Sequence, residues 1–222
     1  MAEPAPKGLA LRAYLAASPL IALAGPLVLR RRLARGKEDR DRMAEKRGYA
    51  SAARPKGRLI WLHAVGLGEV LALRGLILAL ARCAPDLHFL ITSSARSSAQ
   101  VIAANLPPRT RHQYLPLDAP SYLLRFLNHW RPDLSVWAEQ ELWPGAVVAA
   151  HARGVPLALV NARMTDAGFA RRSKARGLYG DLLARFARIT AQDARSANHL
   201  RALGADDVCV TCSLKSAAPP LA

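Results

Sequence analysis

The sequence is poor in cysteine and in aromatic residues. Its three cysteines are too few for a disulfide framework, which favours a reducing compartment. Aromatic side chains make up 6% of the chain and are not interleaved with the basic ones, which argues against a stacking platform for nucleic acid. We therefore predict that nucleic acid is not a partner, although a membrane-tethered protein that contacts it through arginines stays as a weaker alternative.

The chain also has little that could hold a metal ion. Cys209 and Cys212 have the spacing of half a zinc site or a redox pair, but there is no second such pair and structural zinc needs four ligands. No two histidines have metal-ligand spacing, and we interpret His63 as a core residue. We expect no metal and no cofactor.

Positive charge and apolar residues are abundant. There are 32 Lys and Arg against 16 Asp and Glu, a formal net charge of +16, which implies an anionic partner. Nucleic acid, anionic lipid and a phosphorylated substrate all satisfy that condition. Hydrophobic residues make up 51% of the 222 positions, enough for one α/β domain with a terminal appendage.

The appendage begins with an almost wholly apolar run over residues 13–29, followed at once by Arg30, Arg31 and Arg32. The run is at the short end of what crosses a bilayer, and we expect Pro19 and Pro26 to break its helix. Positive charge after the apolar part favours an uncleaved anchor over a signal peptide, with a buried core helix as the alternative. Residues 30–54 then predict a solvated helix or an arm along anionic headgroups.

From residue 56 onward, strand and helix patterns alternate. Strands are predicted over 58–65, 87–92, 111–115, 134–138, 156–160, 188–191 and 208–211. Helices are predicted over 69–84, 97–105, 120–130, 142–153, 176–187 and 194–203, with a loop between 160 and 176. Helices between strands imply right-handed crossovers and a Rossmann-like parallel sheet with helices on both faces.

Carboxylates follow two of the predicted strands. Glu69 comes after the apolar run that ends at Val65 and a glycine turn, Gly66-Leu-Gly68, which lacks the third glycine of a dinucleotide fingerprint. Glu139 and Glu141 follow the strand at 134–138. In an open α/β sheet ligands bind beyond the carboxyl ends of the strands, and crowded carboxylates there can serve as a general base. The alternative for Glu69 is a purely structural role, in which the helix dipole stabilises a carboxylate in the first turn.

Basic residues follow the next strand. Arg163 stands where it could bind a phosphate or orient a carboxylate, or it could be a solvated loop residue. The cluster from Arg171 to Arg176 is interpreted as a solvated face.

Several motifs together resemble the N-terminal half of the 3-deoxy-D-manno-octulosonic acid (Kdo) transferases. The resemblance covers nearly the whole chain. The motifs are Arg35-Gly-Lys-Glu38, Glu45-Lys-Arg-Gly48, His63-Ala-Val-Gly-Leu-Gly-Glu69, Tyr114-Leu-Pro-Leu-Asp118, Glu139-Gln-Glu-Leu-Trp-Pro144, Asn161-Ala-Arg-Met164, Ala191-Gln192 and Ser213-Leu-Lys215. The family usually has Ser-Val-Gly-Glu at residues 66–69 and asparagine at Gly145.

The resemblance implies one half of a two-domain glycosyltransferase fold that transfers Kdo from CMP-Kdo to a lipid A precursor in lipopolysaccharide biosynthesis. Glu69 would be the general base, Glu139 and Lys215 would stabilise the transition state, and Gly66, Gly68, Glu141 and Arg163 would bind substrate. The protein would lie at an anionic membrane, on the cytoplasmic face of the bacterial inner membrane.

The implied domains are an anchor and connector over 1–55, an acceptor-binding domain over 56–212 and the start of an interdomain linker over 213–222. In the family the donor site lies mostly in a second domain, which we expect to be missing from this chain. The alternative function is a catalytically silent membrane module that binds an anionic glycolipid.

Overall fold

The fold is built on seven parallel strands in a single sheet. The computed structural model describes residues 8–65, 67–139 and 141–214. The strands are β1 (Leu59–His63), β2 (His88–Ser93), β3 (Thr110–Tyr114), β4 (Leu134–Ala138), β5 (Leu157–Ala162), β6 (Arg188–Ala191) and β7 (Val208–Val210). Their order is β3-β2-β1-β4-β5-β6-β7, so the direction of winding reverses between β1 and β4. Such a reversal leaves a crevice at the carboxyl ends of the two strands.

Helices connect the strands and precede them. They are α1 (Leu9–Ala17), α2 (Pro19–Ala34), α3 (Leu67–Cys83), α4 (Arg96–Ala104), α5 (Pro120–Trp130), α6 (Pro144–His151), α7 (Asp166–Ser173), α8 (Arg176–Leu183) and α9 (Ala194–Ala202), with a short 3₁₀ helix at Glu45–Arg47. The predicted Rossmann-like α/β fold is confirmed. The loop predicted between 160 and 176 is wrong in part, because α7 lies within it.

Buried side chains cover both faces of the sheet. Leu59 and Trp61 of β1 belong to one core, whereas Ile60 and Leu62 belong to the other, as the two-residue period of a strand requires. Trp61 packs edge-on against Phe126 and Trp137, with ring centroids 5.1 and 5.5 Å apart. Two packed faces hold β1 and β4 rigidly and so fix the crevice at their ends.

The N-terminal helices pack on the domain. Leu11 of α1 and Leu29 of α2 are buried, and the Tyr122 hydroxyl donates to the carbonyl of Ala22 at 3.1 Å. The prediction that Pro26 breaks the helix is wrong, because α2 continues through it; the break falls at Ser18, before Pro19. Among the described residues no single helix has the length and apolar character to cross a bilayer. The pair α1 and α2 passes that test only together, bent by 52°.

The connector after α2 is not solvated as expected. Glu38, Glu45 and Lys46 are at most 5% exposed. Glu45 accepts from the Arg42 guanidinium at 2.8 Å and from the backbone N–H of Tyr114 at 2.7 Å, so it ties the connector to the end of the edge strand β3. Burial lowers the pKa of Lys46 to about 8, although Glu38 opposes the shift. A mixed-charge sequence can therefore be core when its charges pair with each other.

Candidate active site

The ends of β1 and β4 place two carboxylates in one cleft. Glu69 lies in the first turn of α3, directly beyond β1, and Glu139 directly follows β4. Both line a cleft of about 650 Å³, which we call the central cleft. The sequence prediction that these acids share a crevice is therefore confirmed, while their chemical roles stay predictions.

Glu69 is held by the turn that precedes it. Its Oε2 accepts a hydrogen bond from the backbone N–H of Val65 at 3.0 Å. The side chain is partly buried, so it keeps an opening to the cleft. A carboxylate that is oriented by a backbone donor and reaches solvent can take a proton from a bound hydroxyl group.

Glu139 stands in an unusual backbone conformation. Its φ is +59°, and its backbone N–H donates to the carbonyl of Val160 at 3.0 Å. Asn161, at the end of the neighbouring strand β5, also has a positive φ of +56°. Residues other than glycine rarely adopt this region and do so mostly where the surroundings impose it, often at functional sites. Two such residues lie side by side at the carboxyl ends of β4 and β5.

A third acid, Glu141, lines the same cleft and is largely exposed. Partial burial raises its pKa, the negative charge of Glu69 adds to the increase, and Arg172 opposes it. This influence places the Glu69 carboxylate within electrostatic range of Glu141. The cleft therefore gathers negative charge on the side formed by β1 and β4.

Basic residues line the same cleft. Arg163 follows β5, and Arg171 and Arg172 belong to α7. Thr165 is the N-cap of α7, since its hydroxyl accepts from the N–H of Gly168 at 3.1 Å. The guanidinium of Arg172 lies over the Tyr179 ring at 5.5 Å. Its Nε is buried and has no hydrogen-bond partner among the described residues. The cleft thus combines proton acceptors with cations that suit a phosphorylated ligand.

The arginines of α7 contribute more to the cleft than the sequence predicts. The interpretation of the basic cluster as a solvated face is wrong for Arg172, which is half-buried, and it missed that Arg171 and Arg172 line the cleft. The Thr165-Asp166 pair, a capping residue followed by an acid, was the signal for a helix here.

Of the other predicted site residues, Gly68 lies in the first turn of α3 and is not among the residues that line the cleft. Gly66 and Lys215 lie outside the described residues. Leu214 is tied to the same edge of the sheet, because its backbone N–H donates to Oδ1 of Asn161 at 3.0 Å.

His63 belongs to the core, as predicted. It is 1% exposed, and its Nδ1 lies 3.0 Å from the hydroxyl and 3.1 Å from the carbonyl of Thr92. Burial lowers its pKa to about 3. Within residues 8–65, 67–139 and 141–214, no three His, Cys, Asp or Glu side chains are grouped as metal ligands, and the three cysteines are free.

Asp118 has a role that the sequence did not reveal. This buried carboxylate accepts from the backbone N–H groups of Gly145 and Ala146, at 2.7 and 2.8 Å, and from the Tyr14 hydroxyl at 2.6 Å. It therefore caps the N-terminus of α6 from another loop and connects α1 to the segment that follows Glu141.

The fold and the cleft define a Rossmann-like α/β protein with carboxylates and arginines at its topological switch point. A family model described as 3-deoxy-D-manno-octulosonic-acid transferase (kdotransferase) matches residues 41–218. The chain therefore belongs to the Kdo transferase family.

Individual relatives agree with this assignment. The chain is 43% identical over 154 residues to "Probable 3-deoxy-D-manno-octulosonic acid transferase, mitochondrial" of Arabidopsis thaliana, 36% over 173 residues to the 3-deoxy-D-manno-octulosonic acid transferase of Rickettsia bellii, and 31% over 166 residues to that of Haemophilus influenzae. These matches cover 69%, 78% and 74% of this chain. They cover 34%, 41% and 39% of the relatives, so the chain spans well under half of their length.

Solved structures share the fold at low sequence identity. The UDP-GlcNAc 2-epimerase of Neisseria meningitidis, solved with UDP-GlcNAc, matches with a TM-score of 0.52 at 15% identity, over 72% of this chain and 47% of that one. The S. aureus MnaA–UDP structure matches with a TM-score of 0.50 at 16% identity, over 71% and 46%. At this identity the likeness concerns the fold alone.

Proposed function

We propose that this chain forms the acceptor-binding part of an enzyme that transfers Kdo from CMP-Kdo to a lipid A precursor in lipopolysaccharide biosynthesis. Glu69 and Glu139 line one cleft together with Arg163, Arg171 and Arg172, and this observation carries the proposal. Membership of the Kdo transferase family supplies the reaction.

Glu69 is the general base in this mechanism. The acceptor hydroxyl oxygen forms a bond to the anomeric carbon of Kdo, the bond from that carbon to the CMP phosphate oxygen breaks, and CMP leaves with the electron pair. Glu69 takes the hydroxyl proton as the attack proceeds. The N–H of Val65 at 3.0 Å orients Oε2 for this step.

The remaining cleft residues stabilise charge. Glu139 faces the positive charge that develops at the anomeric carbon as the leaving group departs. Arg163, Arg171 and Arg172 bind negative charge on the substrates, for which bidentate guanidinium groups are well suited. The Glu141 carboxylate adds negative charge near Glu69, the proposed base.

We further propose that α2 lies against the anionic cytoplasmic leaflet. Four of its apolar side chains are exposed, with Leu23 at 81%, and the others are Leu20, Leu27 and Val28. Arg30, Arg31 and Arg32 follow on the same helix, where phosphate headgroups would meet them.

The test uses the full-length protein that contains this chain, assayed with CMP-Kdo and lipid A precursor by mass spectrometry of the product. Glu69→Gln is expected to lower kcat by about 100-fold or more, the usual contribution of a general base, with acceptor binding unchanged. Asp86→Asn is the matched control, because Asp86 is an exposed carboxylate at the opposite edge of the sheet.

Wild-type enzyme that binds the glycolipid but transfers no Kdo would favour the silent binding module instead. Near-normal turnover by Glu69→Gln would remove the base assignment while leaving the reaction intact.

A further inference from the structure

A second cavity, at the carboxyl end of β2, is lined by cations. It measures about 600 Å³, and we call it the Arg96 cavity. Its lining residues are Arg32, Gly36, Lys37, Ala95, Arg96, Ser97 and Gln100. Three of these seven carry positive charge, and no carboxylate is among them.

Two of the cations are fixed by the fold. Buried Glu38 accepts from Nε of Arg32 at 2.5 Å, while the Arg32 side chain stays 44% exposed. Arg96 donates from Nη1 to the carbonyl of Gly36 at 3.3 Å. Both guanidinium groups are thus held at the cavity by partners from the segment between α2 and β1.

A left-handed turn brings the third cation into place. Gly36 has a φ of +68°, so the chain reverses after α2 and the N–H of Lys37 donates back to the carbonyl of Arg32 at 3.0 Å. This turn brings the backbone of Lys37 next to that of Arg32, and both residues line the cavity together with Arg96. Glu38 compensates Arg32, but among the described residues neither Lys37 nor Arg96 forms an ion pair, so an anion in the cavity would be attracted by two uncompensated charges.

The Arg96 cavity is connected to the central cleft through a single residue, Val65. Ser98, in the first turn of α4, donates from its hydroxyl to the carbonyl of Val65 at 2.8 Å. The N–H of the same Val65 donates to Glu69. Because β1 and β2 are neighbouring parallel strands, both sites open at the same edge of the sheet.

The cavity also adjoins the exposed apolar face of α2. Arg32 belongs to that helix and Lys37 follows its end, beyond Leu27 and Val28, which are 55% and 46% exposed. A ligand with acyl chains along α2 would have its phosphate at the level of these cations.

We propose that the Arg96 cavity binds a phosphate group of the lipid-borne acceptor while a sugar hydroxyl of the same molecule lies at Glu69. The identity of the acceptor rests on the proposed function, whereas the affinity for a lipid-borne phosphate rests on the cavity alone. The cavity is thus a second anchoring point, separate from the arginines of α7, and sets how the acceptor lies across the sheet edge.

The test compares two double variants of the 222-residue chain in vesicle binding. Lys37→Gln with Arg96→Gln removes two cavity cations and leaves the Arg32–Glu38 pair intact. Lys56→Gln with Arg82→Gln removes one lysine and one arginine from exposed positions at the amino-terminal edge of the sheet and serves as the matched control. Three kinds of phosphatidylcholine vesicle are used, carrying lipid A precursor, its dephosphorylated form, or phosphatidylglycerol at equal charge.

The cavity variant is expected to lose about 100-fold in affinity for the phosphorylated precursor, because each charge-assisted hydrogen bond to a bound phosphate contributes about tenfold or more. It should lose far less on the other two vesicles, and the control should behave as wild type on all three. Equal losses on phosphatidylglycerol would overturn the proposal in favour of bilayer phospholipid as the source of the phosphate. Unchanged binding to the precursor would overturn it entirely.

A parallel assay of Kdo transfer by the full-length protein separates this proposal from the previous one. The expected binding pattern without any transfer by wild type would leave the cavity assignment standing and refute the proposed reaction. If wild type transfers Kdo and the cavity variant binds the precursor as wild type does, the proposed reaction stands and the cavity assignment is refuted.

Discussion

Replacing Asp118 with alanine is expected to lower the free energy of unfolding by about 3 kcal/mol. The substitution removes the acceptor of three hydrogen bonds, donated by Tyr14, Gly145 and Ala146 at 2.6 to 2.8 Å. Asp118 is 1% exposed, so water does not readily replace the carboxylate.

Two losses contribute to the expected destabilisation by Asp118→Ala, and one effect opposes them. Loss of a helix N-cap costs about 1 to 2 kcal/mol. A buried hydroxyl left without its acceptor costs about 1 to 3 kcal/mol. Against this, burial raises the pKa of Asp118, which means that the charged carboxylate is itself costly to keep in the folded protein.

The sign of the pH dependence follows from that shift. A carboxyl group whose pKa is raised by folding contributes most to stability at low pH and loses part of that contribution as the pH rises through the raised value. The difference between wild type and Asp118→Ala should therefore narrow as the pH rises from below the ordinary aspartate pKa.

Urea unfolding followed by circular dichroism provides the measurement, with midpoint and slope reported separately. Tyr14→Phe deletes only one donor and should cost about 1 kcal/mol. Asp86→Ala, at an exposed site, should stay within about 0.5 kcal/mol of wild type. The reasoning is refuted if Asp118→Ala costs no more than Tyr14→Phe, or if the difference from wild type widens as the pH rises.

Three further predictions concern the fold and the central cleft. Gly48→Ala should unfold at a lower urea concentration than Gly36→Ala. Both glycines have positive φ, but a Cβ at Gly48 would clash with the backbone of Tyr122, whereas a Cβ at Gly36 would meet no atom. Equal losses would mean that the Gly48 clash is relieved cheaply. Because burial lowers the pKa of His63 to about 3, the unfolded chain binds an extra proton between about pH 3 and 6.5 and stability falls as the solution is acidified; His63→Gln should remove up to about 1.4 kcal/mol per pH unit of that slope, and an unchanged slope would contradict the assignment. Glu141→Gln removes a negative neighbour of the proposed base, so the acid limb of the pH–activity profile should move to lower pH, and a shift to higher pH would contradict the arrangement of the cleft.

The pattern of strands and helices was fixed locally. The bounds at Pro120–Trp130, Leu134–Ala138 and Arg188–Ala191 agree with the prediction residue for residue, because apolar periodicity and capping signals are local. The crevice was also predictable, since the carboxyl ends of parallel strands share one edge. Glu69 and Glu139 then share a cleft because their strands, β1 and β4, are neighbours in the sheet.

Long-range packing decided the rest. Nothing in the spacing of Glu38, Glu45 and Lys46 shows that they are buried, because their local ion pairs are covered only when the connector packs on β3 and binds the distant backbone groups of Tyr114 and Ser94. Arg172 becomes a cleft residue because the packing of α7 and α8 brings it and Tyr179 to the lining of the cleft. Asp118 caps α6 although it lies 27 residues before Gly145 in the sequence, a distance that no local rule covers.

The sequence by itself thus determined the elements, their parallel arrangement and the edge at which ligands bind, since each follows from short-range periodicity and chain direction. Only the tertiary structure decided which charges are buried, which arginines face the acids and how α1 is joined to α6. Those outcomes depend on pairing between groups that the chain brings together from far apart, where burial makes an unpaired charge too costly to keep.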